Sequence, residues 1–199
     1  MITMKTINAS NQEERDAFFT SLDQRTGETN QRVTETVSEI IRTVKAGGDE
    51  AVKNYTLKFD GSLPEYYEVP RDVINDALTN ADGEFVSAML NAIENVRDFH
   101  QRQVQEGFIN ALPNGVILGQ RVRGLERVGL YVPGGTAAYP SSVIMNAVPA
   151  KIAGVKEIIM VTPPCKDGTP NPDILVAAGL CGVDRVFLSG GAQAIAALA

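Results

Sequence analysis

Three short stretches contain the residue types that could hold a ligand: "PGGTAAYPSS" from Pro133, "TPPCKDG" from Thr162 and "SGGAQA" from Ser189. Gly134-Gly135 leads toward the hydroxyls of Ser141 and Ser142, and Gly190-Gly191 leads straight into a helical pattern. A glycine turn before a helix leaves bare N–H groups that attract phosphate or carboxylate. Two readings stand side by side. The glycines let a nucleotide approach the backbone, or they are ordinary strand-to-helix turns; residue physics favours neither. A common dinucleotide site is not written here. No G-x-G-x-x-G follows the first apolar strand, and Thr162, Pro163 and Pro164 stand where a ribose-binding acid would end the second. No phosphate-loop motif is present either.

Other chemistry finds little material. His100 is the sole histidine, with no second His or Cys at ligand spacing, and it reads as a packed or hydrogen-bonded residue. Cys165 lies in a plausible mouth loop without a neighbouring base. No catalytic residue and no metal ligand is assigned within the chain.

The elements that must position the three stretches follow from periodicity. From about Pro113, apolar strand-like runs at Val128–Val132, Ile158–Val161 and Arg185–Leu188 alternate with helical patterns at 141–153 and 172–180. Their starts lie roughly 30 residues apart, the size of a βαβ unit. Near-continuous apolar strands imply a parallel sheet covered on both faces, whose ligands bind beyond the carboxyl ends of the strands. All three glycine or proline stretches fall at those ends. Pro149 interrupts the first of these helices, so a kink or two short helices is expected. "NGVILGQRVRGLERVGLYV" reads as two strands joined near Arg123-Gly124-Leu125, a hairpin.

Before Pro113 the grammar is helical. Val33, Val37, Ile40, Ile41 and Val44 form one stripe, stopped at Gly47-Gly48; Asp49 restarts a helix carrying Val52, Tyr55 and Phe59. "YYEV" is a short strand candidate, Pro70 opens another helix, and a longer one covers roughly 82–103 with Phe85, Met89, Ile93, Val96 and His100 near one face. The fold class is therefore α/β: a mainly helical N-terminal region, 1–112, followed by an incomplete Rossmann-like doubly wound parallel sheet, 113–199.

Composition narrows the function classes. The chain has 199 residues, of which 44% are hydrophobic, enough to bury a core. A formal charge of −6 with no Lys/Arg cluster argues against nucleic acid or an anionic membrane surface. No apolar run is long enough to span a bilayer. Cys165 and Cys181 sit at no metal or redox spacing and read as reduced thiols of a cytoplasmic protein.

"VGLYVPGGTAAYPSSVIMNAVPAKIAGVKEIIMVTPP" followed by "DILVAAGLCGVDRVFLSGGAQAIAALA" closely resembles histidinol dehydrogenase, as do "VKAGGDEAVKNYTLKFDG" and "NVRDFHQRQ". The resemblance covers the chain from about residue 30. It implies an NAD-dependent, zinc-containing homodimer that oxidises L-histidinol to L-histidine through the aldehyde, at the end of histidine biosynthesis. It implies that Tyr131 and Gln193 contact the dinucleotide, at one carboxyl edge of one sheet, with Pro133 and Pro163 in the matching loops. In the family the Glu–His pair, the zinc ligands and the substrate-binding Ser and Glu lie downstream of "AQAIAALA". The sequence, stopping at Ala199, is thus expected to be an N-terminal piece that does not turn over substrate alone. A related dehydrogenase of another hydroxy compound, or a non-catalytic module, remains open as an alternative. The apolar face of "GAQAIAALA" expects later sheet strands, so the final helix is expected to be frayed, displaced or covered by another copy.

Overall fold

The computed structural model describes residues 6–134 and 138–199, with the side chains of 23–30 left aside. Helix α1 spans Gln12–Asp60, and Asn11 accepts a bond from the Glu14 N–H at its start. It breaks at Gly48, whose φ of 55° and ψ of −140° suit a residue without Cβ. The Gly47-Gly48 stop and the restart at Asp49 thus follow the sequence pattern. Helices α2 (Arg71–Thr79) and α3 (Gly83–Gln101) come next, α3 capped by the Asp82 carboxylate on the Phe85 N–H. Met89 and Ile93 of its expected stripe are buried, and Phe85 and Val96 pack against them.

Strands β1 (Phe108–Ala111) and β2 (Ile117–Gln120) pair antiparallel, Phe108 opposite Gln120 and Ala111 opposite Ile117. This corrects the expected hairpin. The turn lies at Pro113–Gly115, closed by the Leu112 N–H on the Val116 carbonyl at 2.8 Å, with Gly115 at φ 85°. Gly124 makes no turn between strands. A Cβ there would lie 2.4 Å from the Ala153 carbonyl oxygen, because this segment passes tightly over the end of the next helix.

β3 (Arg127–Tyr131), α4 (Pro140–Ile152), β4 (Glu157–Thr162), α5 (Pro172–Leu180), β5 (Arg185–Leu188) and α6 (Gly191–Leu198) complete the chain. The sheet order is β3-β4-β5, all parallel, with β4 central. In register, Tyr131 is opposite Val161 and Thr162 opposite Leu188, so the three carboxyl ends lie along one edge. The outer edge of β5 is covered by "YYEV": the Val69 N–H donates to the Val186 carbonyl and the Leu188 N–H to the Tyr67 carbonyl. α4 carries Pro149 without a break. The carbonyl that loses its donor belongs to Met145, an exposed residue, so water can serve it.

One sheet face presents Leu130, Ile158, Met160, Val186 and Leu188 to α4 and α5, with α2 and α3 behind them; this is the main core. The other face carries Gly129, Tyr131, Ile159, Val161 and Phe187 and is covered by α6 and the second half of α1. Ala192 and Ala196 of α6 seat on Ile40, Val44, Ala51 and Val52 of α1. Leu198 fills the space beside Gly129, where a Cβ would lie 2.8 Å from its Cδ1. The final helix is therefore docked on α1 and the sheet of its own chain, not displaced, although Ile195 stays exposed. The expected apolar face is real; α1 supplies its cover.

Candidate dinucleotide edge

Tyr131 ends β3 and is 37% exposed. Its side chain shares a sheet face with Gly129, the face on which α6 lies, because side chains alternate along a strand. Val132 continues the ladder by donating to the Val161 carbonyl at 2.9 Å and is fully buried. Pro133 follows and is exposed. Gly135, with Thr136 and Ala137, lies outside the described residues.

Pro163 is buried and joins the three loops. A Cβ on Gly134 would lie 3.2 Å from its Cγ and 3.0 Å from the Thr162 hydroxyl. A Cβ on Gly190 would lie 2.8 Å from its Cβ. The proline ring is a wedge between two glycines. This gives Gly134 and Gly190 a packing reason, independent of any ligand.

Gln193 sits in the first turn of α6 and is 1% exposed, and neither amide atom has a hydrogen-bond partner. The Thr162 hydroxyl, on a residue also 1% exposed, is unpartnered too. Each such group costs about 1–3 kcal/mol when left unpaired in a core. Ser189, by contrast, lies 3.4 Å from the hydroxyl of Thr56, tying the end of β5 to α1. Three unsatisfied polar atoms on two side chains at one sheet edge fit a ligand that brings the missing partners. Tyr131, Pro133, Pro163 and Gln193 all lie along this edge, Tyr131 and Gln193 on the two outer strands' sides of β4. The Thr162 hydroxyl was not legible as a site residue, since strand periodicity does not distinguish a bonded hydroxyl from an unbonded one.

Other candidates do less. His100 closes α3, its Nδ1 2.6 Å from the Gln103 amide oxygen, so it is a hydrogen-bonded residue as expected. Burial, with Asp167 nearby, pushes the Cys165 thiol up, and Thr169 offsets this in part. Burial pushes Cys181 up to about 11. Neither is an activated nucleophile. Among the described residues no group of three His, Cys, Asp or Glu side chains could hold a metal ion, and no helix is long and apolar enough to cross a membrane. A concavity of about 390 Å³ lies under α1 and α6 against Ile159, Val161 and Phe187, with Lys53, Tyr67 and Arg127 around it and Ser189 and Ala194 at its border with the edge.

A parallel sheet with helices on both faces defines an α/β protein of the Rossmann-like kind. The particular family follows from comparison with known proteins. The family model described as histidinol dehydrogenase matches residues 23–199, and the chain belongs to that family. It is 53% identical over 182 residues to the histidinol dehydrogenase of Clostridium acetobutylicum, covering 92% of this chain and 42% of that protein. With the histidinol dehydrogenase of Bacillus subtilis it shares 49% identity over 164 residues, covering 82% and 38%. The crystal structure of histidinol dehydrogenase from Elizabethkingia anophelis superposes with a TM-score of 0.76 at 35% identity, covering 83% of this chain and 38% of that one. The chain thus spans about two-fifths of the length of these relatives.

Proposed function

We propose that this chain supplies the NAD-holding part of a histidinol dehydrogenase, a cytoplasmic homodimeric enzyme that oxidises L-histidinol to L-histidine through the aldehyde. The observation that carries the reading is the buried, unpartnered Gln193 amide at the carboxyl edge that also presents Tyr131. NAD, when bound, accepts the hydride. The chain's own residues bind and orient. Tyr131 offers a half-open ring and hydroxyl at the end of β3, and Gln193 offers a donor and an acceptor from the first turn of α6. Pro163, wedged between Gly134 and Gly190, fixes the spacing of the loops, and Pro133 borders the mouth.

The zinc implied by the family finds no donor set among the described residues. Proton transfer from the substrate hydroxyl needs a positioned base. His100 lies on α3, away from this edge, and bonds Gln103.

Titrating the 199-residue chain with NADH and following nucleotide fluorescence tests the reading. Saturable binding is expected, with Tyr131→Ala weakening it about tenfold, the equivalent of roughly 1.4 kcal/mol. Absence of saturable binding, or a Tyr131→Ala variant that binds as tightly, contradicts it.

A further inference from the structure

The end of β4 lacks the acid that commonly holds the ribose of a dinucleotide; Thr162, Pro163 and Pro164 stand there. Helix α1 brings an acid to the same edge from another direction. Val52, Thr56 and Asp60 recur every four residues and so share one face of that helix. Val52 and Thr56 are buried, and the Thr56 hydroxyl lies 3.4 Å from that of Ser189, between β5 and α6. Asp60 stands one turn further on, about 6 Å along the helix axis. Just past it the Ser62 hydroxyl donates to the Cys165 carbonyl at 3.4 Å. The Leu63 carbonyl oxygen lies 2.9 Å from where a Cβ on Gly168 would sit. Asp60 is thus held between the loops that follow β4 and β5. Its Oδ2 is buried without a hydrogen-bond partner, and none of the ion pairs among the described residues includes it. Burial pushes its carboxyl above the ordinary carboxylate value. A carboxylate drawn out of water without a partner is costly. A ribose diol brings two O–H donors, and a carboxylate offers acceptors only. A phosphate in place of one hydroxyl brings negative charge instead and is repelled.

We infer that Asp60 accepts hydrogen bonds from the adenosine ribose of the dinucleotide and sets the preference for NAD over its 2′-phosphorylated form. The acid that the second strand of a common dinucleotide fold supplies comes here from the last turn of α1. The helix that covers one sheet face thereby also completes the ligand mouth. The inference rests on the NAD reading above and adds to it a specificity residue that strand periodicity does not reveal.

NADH, NADPH and the NADH analogue lacking the adenosine 2′-hydroxyl, each titrated fluorimetrically into the 199-residue chain and into Asp60→Ala, test the assignment. The parent chain is expected to bind NADH about tenfold more tightly than either of the other two, as charge-assisted bonds to a carboxylate require. Asp60→Ala is expected to weaken NADH about tenfold and the deoxy analogue less than about twofold, so that the preference is lost. Should Asp60→Ala fail to fold, Asp60→Asn keeps the shape and removes the charge, and NADPH is expected to gain on NADH. Equal affinity of the parent chain for NADH and the deoxy analogue overturns the ribose assignment and leaves the cofactor reading standing. So does a preference for NADH over NADPH that the substitutions leave unchanged. Absence of saturable NADH binding by the parent chain overturns both.

Discussion

Thr162 and Gln193 bear the cost of the carboxyl edge, since both keep polar atoms in the core without partners. Replacing a buried unpaired hydroxyl by a methyl removes a desolvation penalty at nearly constant shape. Thr162→Val is thus expected to leave the free chain as stable or up to about 1 kcal/mol more stable by urea unfolding; a loss of about 1 kcal/mol or more would mean that the hydroxyl is bonded. A surface residue behaves in the opposite way. The Arg185 guanidinium, holding Glu68 at 2.7 Å through both oxygens, lowers that carboxyl below its ordinary value, against a small opposing effect of burial. A depressed carboxyl contributes stability above its unfolded pKa and loses it as pH falls through the folded value. Both side chains are more than two-fifths exposed, so solvent screening keeps the contribution to about 0.2–1 kcal/mol. Glu68→Gln should cost that much at neutral pH and nothing in acid below the folded pKa; an equal cost at both pH values would refute the ion-pair account. Of these residues the sequence revealed Tyr131 and Gln193 only through family resemblance. Whether a buried amide or hydroxyl finds a partner is a tertiary fact that local pattern does not carry.

Elements were more legible where period and punctuation agreed. β3, β4 and β5, their helices, and the break at Gly48 all fall where apolar runs, Asn171-Pro172 and paired glycines put them. The hairpin does not: its turn lies at Pro113–Gly115, because Gly124 packs against the end of α4, a contact that local pattern does not carry. Pro149 neither kinks nor splits α4, since a helix tolerates a lost bond on its solvent side. The loops at the sheet edge form one unit through Pro163. Gly190 has φ −117°, so alanine there meets no backbone strain, only the Pro163 ring at 2.8 Å. That ring is rigid, and Gly190→Ala should destabilise the chain by about 1–3 kcal/mol, as overpacking does. Pro163→Gly in the same chain removes the opposing Cβ and should recover part of the loss. Two costs that simply add in thermal or urea unfolding would show that the two residues do not interfere.

At the scale of the molecule, the sheet and its helices form one packed unit, and α1 does more than the helical grammar suggests. Its second half closes the sheet face that α6 alone would leave bare, through Ala192 and Ala196 on Val44 and Val52. Long-range seating of this kind has no signature in a single stretch of sequence. Residues 1–199 also contain a competing concavity, the one under α1 beside Lys53 and Arg127. A titration of the isotope-labelled 199-residue chain with NADH, mapped by amide chemical shifts, chooses between the two places. The dinucleotide edge predicts saturable shifts largest at Tyr131, Gly134, Thr162 and Gly190 to Gln193. Shifts centred on Lys53 and Arg127, or none that saturate, would contradict it.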